Sequence, residues 1–185
     1  MPKCDEEIKL WSQRTWQALD FSAGSALSHS EVEKLEAMIA LDSSDATARI
    51  LLLGRYNREA LKPGDRMYAR YLTHFIWLIE NQPWHVELSE ACNLLMHLNG
   101  IKPGNVEGWI FDQGKADLEK IEALWKSALQ QHSNNNAVII NAAYAFLYSS
   151  PAEADACIAA ATANDPNDRR LLHVKRLQDI RTNHC

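Results

Sequence analysis

The chain reads as an all-α protein built of stacked antiparallel helix hairpins, about nine helices in a curved superhelix closed by a C-terminal capping helix. Three observations predict this. Apolar residues recur at spacings of three and four between regular turn signals, the mark of amphipathic helices. Period-two runs of β-branched residues are nearly absent, and Ala137 to Ile140 is too short to argue for a strand against its flanks. Finally, Trp125, Ala128 and Leu129 are echoed thirty-three residues later by Ile158, Ala161 and Thr162, the period of stacked helix pairs.

The turn residues divide the chain in order. Helices are expected near 5–20, 30–42, 45–61, 65–81, 84–99, 115–132, 136–149, 151–164 and 168–182. Asp20 to Ser30 reads as the first linker. Ser30 with Glu33 makes a capping box for the second helix. Asp65 suits the N-cap of the fourth, and Pro151 suits the first turn of the eighth. The whole is one domain over 1–185: an N-terminal helix and linker (1–30), repeat-like hairpins (31–166) with an insertion loop at 99–114, and a capping helix with tail (167–185).

Taken in pairs, these helices resemble tetratricopeptide repeats. Ala154, Ile158, Ala161 and Pro166 have the spacing of that family's second helix. Ile121, Trp125, Ala128 and Ser133 repeat it one unit earlier, with the small residue and the proline replaced. Leu53-Gly54 is similar to the large-small pair of a first helix, and Phe75, Leu78 and Pro83 echo the second helix that follows. The resemblance spans residues 31–182, with the period kept cleanly only in the last half. It implies a concave wall lined by the first helix of each pair: Leu51, Arg55 and Arg58, then Glu87, Glu90, Leu94 and His97, then Asn136, Ile139, Ala143 and Phe146. The lysine-asparagine clamp of the chaperone-tail binders in that family is missing, so an acidic chaperone tail is not an expected ligand.

Composition sets the outer limits. With 46% hydrophobic and 23% charged residues, the 185-residue chain has the make-up of a globular domain with a proper core. No apolar run reaches the ~18 residues of a membrane span. The acidic start, Met1 to Glu7, lacks a signal core, so a cytoplasmic location is expected. The net charge of −5 argues against nucleic-acid binding, which favours a basic stripe. Basic residues gather instead at Arg169, Arg170, Lys175, Arg176 and Arg181, where a helix C-terminus welcomes them. Cys4, Cys92, Cys157 and Cys185 are scattered and read as reduced thiols, Cys92 and Cys157 as buried small hydrophobes.

Two further surfaces stand out. Arg66, Arg70, His74 and Trp77 share one stripe of the fourth helix, and internal pairing with acids of neighbouring helices is the favoured reading over an anion site. In the loop at 99–114, glycines surround Trp109-Ile110-Phe111. Leaving three such side chains in water forgoes ~1.5–3 kcal/mol each, so they fold back on the array or meet a partner.

Catalytic motifs are missing: there is no phosphate-cradling glycine loop, nucleophile elbow or metal-binding His-Glu-x-x-His. Carboxylate pairs such as Glu87 with Glu90 belong to ordinary solvated helix faces. No cofactor is expected. The resulting functional expectation is a non-enzymatic module that binds a protein or peptide partner. A bacterial secretion chaperone and a toxin-neutralising immunity protein are the two specific forms weighed. The alternatives are a helical small-anion-binding protein or enzyme using Arg55, Arg58 and His97, and a homodimer that covers its own groove.

Overall fold

The computed structural model describes residues 19–57, 66–92, 112–147 and 149–183. Nine α-helices lie within them: α1 Leu19–Gly24, α2 His29–Leu41, α3 Ala46–Asn57, α4 Arg66–Asn81, α5 Leu88–Ala91, α6 Asp112–Gln131, α7 Asn136–Phe146, α8 Pro151–Asn164 and α9 Arg169–Asn183. No strand occurs among the described residues, so the all-α class holds.

Several boundaries differ from the sequence reading. The expected linker from Asp20 contains α1, which runs to Gly24. The capping box lies two residues earlier than expected. The Ser28 side chain accepts from the Glu31 amide while Glu31 Oε2 accepts from the Ser28 amide at 2.7 Å. A serine-x-x-acid pattern occurs at both Ser28 and Ser30, and spacing alone does not choose between overlapping copies. Helix α6 begins at Asp112, so the last residues assigned to the insertion loop are helical. Asp65 and the rest of that loop lie outside the described residues.

Helix α1 crosses α3 at backbone contact. A Cβ added to Gly54 would sit 1.9 Å from the Phe21 carbonyl oxygen, and one added to Gly24 would sit 2.0 Å from that of Leu51. Both positions therefore require glycine for close approach rather than for dihedral freedom. At Gly54, the small member of the Leu53-Gly54 pair, the missing side chain is what lets α1 and α3 meet.

Packing follows a regular order. Consecutive helices α2 and α3, α3 and α4, α6 and α7, α7 and α8, and α8 and α9 pack together. Each odd-numbered helix also packs on the next odd one, from α1 through α9, and α4 packs on α6. Helix α7 lies at the centre. Every residue from Val138 to Leu147 is buried, because α5, α6, α8 and α9 all pack on it. A helix apolar all round belongs inside, and this one carries only Asn141 as a fully buried polar residue. Among the described residues, Trp125, Tyr56, Tyr71, Phe75 and Phe146 are the largest fully buried side chains. Helix α9 closes the far end with Leu171 and Val174 inward.

Candidate functional site

The expected groove positions do not form one accessible wall. On α3, Leu51 and Arg55 are half-buried, and Arg58 lies outside the described residues. Before α5, Glu87 is 8% exposed and accepts a hydrogen bond from the Phe21 amide at 2.7 Å, tying this turn to α1. Glu90 is half-buried; burial, and then the neighbouring Glu87, push its carboxyl above the ordinary range. On α7, Asn136 is half-buried, whereas Ile139, Ala143 and Phe146 are core residues. Phe146 has no exposed surface, so it offers a partner no area to bury. The wall expected from α7 is corrected to core, since α5, α6, α8 and α9 all pack on this helix. Leu94, His97, Trp109, Ile110 and Phe111 lie outside the described residues, so Arg55 is the one described member of the expected anion site.

Part of the stripe on α4 is drawn inward: His74 is buried and Arg70 and Trp77 are half-buried, whereas Arg66 is exposed. His74 is 3% exposed and lies between Arg49 and Glu36. Arg49 Nη1 is 3.2 Å from His74 Nδ1, and His74 Nε2 is 3.3 Å from Glu36 Oε1. Arginine only donates, so Nδ1 accepts and the proton sits on Nε2, which donates to the carboxylate. Tyr56 donates to the same oxygen at 2.6 Å, and Arg70 Nη1 donates to the Tyr56 hydroxyl at 3.3 Å. Arg49 also donates to the Ser43 carbonyl at 3.0 Å and lies 4.1 Å from the Trp77 ring centroid. The arginine stacked on Trp77 is thus from α3, not from the α4 stripe itself.

The electrostatics follow from burial and pairing. Burial lowers the His74 imidazole and, with the cations Arg49 and Arg70, outweighs the pull of Glu36. Burial pushes the Glu36 carboxyl upward, but Tyr56, His74 and Arg70 together hold it below its usual value. Burial, then Glu36, raise the Tyr56 hydroxyl to about 12. A histidine beside a carboxylate has the chemistry of a general base. This one is sealed from solvent and bonded at both nitrogens, so it serves the fold.

Accessible features collect elsewhere, where the α4–α5 turn meets the α6–α7 turn. Trp84 is 42% exposed and Val86 is 51% exposed. The Trp84 ring meets His132 edge-on, with centroids 5.3 Å apart and planes at 79°. Beneath, Asn141 of α7 donates from Nδ2 to the Pro83 and His85 carbonyls, each at 2.9 Å, gripping the turn on both sides of Trp84.

Two hollows adjoin this turn. One, of about 90 Å³, lies between α4 and α6; Ile79, Pro83, Leu124 and Ala128 give it apolar walls, and Glu80, Ser127, Gln131 and His132 its polar groups. The other is a wide, open concavity of about 550 Å³ over residues 131–136. They share Gln131 and His132. The sequence reading missed this face. Its only signals were an aromatic placed after Pro83 and a run of three asparagines, both of which read as ordinary turn chemistry.

Among the described residues no group of three or more His, Cys, Asp and Glu side chains is placed to hold a metal ion. Cys92 and Cys157 are buried free thiols. Burial, then nearby acids, push both upward, Cys157 to about 11, away from the thiolate that reactivity needs. No helix among the described residues is long and apolar enough to cross a membrane.

No family model, curated protein or solved structure matches the chain. The functional reading therefore rests on the geometry of this surface.

Proposed function

We propose that this chain is a non-enzymatic protein-interaction module. Its docking face is the surface around Trp84, not the α7 wall that the repeat resemblance implies. The observation that carries this reading is a half-exposed tryptophan on a turn held rigid by a buried side chain. Tryptophan is one of the residues enriched among interface anchors, and an anchor already fixed in place loses little entropy on docking. Val86 adds apolar area next to it, while the asparagine-rich concavity supplies amides for a polar rim.

The packing order gives secondary support to a stacked-hairpin architecture similar to tetratricopeptide repeats. Odd helices contacting odd helices is what successive hairpins laid side by side produce. Secretion chaperone and immunity protein remain the two forms of this proposal, told apart by whether the partner is an exported protein or a toxin.

The test is quantitative affinity capture from native extract with the wild-type chain and with Trp84→Ala. A stoichiometric partner that the variant loses, at unchanged melting temperature, supports the proposal. Equal capture by both proteins contradicts the Trp84 face, and the absence of any partner contradicts the interaction role.

A further inference from the structure

We propose that the recess between α4 and α6 is a pocket for a primary-ammonium cation, the side chain of a lysine on the docked partner. This rests on the reading of the Trp84 surface as a docking face and assigns that face its specificity.

Size comes first. A hollow of about 90 Å³ is smaller than the ~150 Å³ cavity that takes up a benzene ring, so a slender unbranched side chain suits it better than a bulky ring. Its wall chemistry comes second. Ile79, Pro83 and Leu124 line it with hydrocarbon, which suits an aliphatic stem better than a carboxylate or an amide.

Charge then selects the end group. Among the described residues, Glu80 is the one acidic residue lining the recess. It is exposed, and it forms no ion pair within the described residues. Gln131 spends its amide nitrogen on the Ser127 hydroxyl at 3.1 Å, which leaves its carbonyl oxygen as an acceptor. Trp84 is in edge-on contact with the lining residue His132, so its indole reports on the recess from just outside it. A lysine matches this set, being a compact charge with three donors on a flexible four-carbon stem. An arginine fork is broader and planar, and matches it less well.

The probe is n-butylammonium, with n-butanol as its neutral isostere, titrated into the full chain and followed by amide and indole NMR shifts. The pocket predicts saturable shifts at Leu124, Ala128 and the Trp84 indole, at least fivefold weaker binding of butanol, and loss of the preference in Glu80→Gln. Because Glu80 is exposed, that variant is expected to keep the wild-type melting temperature. Equal affinity for the two probes, or no saturable shift, overturns the lysine pocket. The docking face itself is judged separately by the Trp84→Ala capture: if capture depends on Trp84 but butylammonium does not bind, the face stands and the lysine assignment fails.

Discussion

Arg49 donates from Nη1 to His74 Nδ1 across 3.2 Å, and that bond requires the imidazole to be neutral. Glu36 on α2, Arg49 and Tyr56 on α3, and Arg70 on α4 surround the ring. Burial depresses its folded-state value below the usual 6.5. A depressed histidine contributes stability that is complete above the unfolded value of about 6.5 and is lost as pH falls through the folded value.

The melting temperature is therefore expected to fall between pH about 7.5 and pH about 5.5, before carboxylates protonate. Glu36 is held low, so its own loss comes in stronger acid. His173, likewise lowered by burial and then by Arg176, adds to the same window. In His74→Gln the melting temperature should vary less with pH than in wild type. An unchanged pH slope contradicts the assignment.

Gly54→Ala tests the α1–α3 crossing. Alanine normally favours a helix interior by ~1 kcal/mol over glycine. Here the added methyl meets the Phe21 carbonyl, a backbone atom that no rotamer change can move. A loss of about 3 kcal/mol is expected from the overpacking, measured by denaturant unfolding. A gain in stability means the two helices are not in backbone contact.

Asn141→Ala removes both side-chain bonds to the α4–α5 turn; the buried Pro83 carbonyl loses its partner, while the His85 carbonyl keeps the Leu88 amide at 3.1 Å. About 2–4 kcal/mol of stability should be lost. Faster hydrogen exchange between residues 83 and 88 than in wild type would locate the effect at the Trp84 turn.

Ser28→Ala should lower the melting temperature by about 2–4 °C through loss of the N-cap. Ser30→Ala, at the position that the sequence pattern also allows, should leave it within about 1 °C. The reverse order would move the start of α2.

Much of this architecture is legible without coordinates, for local reasons. Helical spacing and turn residues depend on neighbours in the chain, so Pro151 at the start of α8 and the all-α class could be read directly. Gly54 was legible as a small packing residue because a large-small pair is itself a local pattern. The binding face was not. Ile139 and Phe146 carry the spacing of a groove wall, but whether that face is open depends on how four other helices, α5, α6, α8 and α9, pack around α7. The Trp84 turn was hidden for the same reason: its rigidity comes from Asn141, fifty-eight residues beyond Pro83, and a single asparagine in an apolar helix announces no partner. Glu36 was foreseeable as one of the N-terminal acids able to meet the α4 stripe, but Arg49 stacking on Trp77 from another helix was not.

Hydrogen–deuterium exchange of the full chain with and without its captured partner tests the central claim most directly. The account expects protection concentrated at residues 80–88 and 127–136, where the two turns meet. Protection confined to other segments, with these turns exchanging at the free rate, would contradict it.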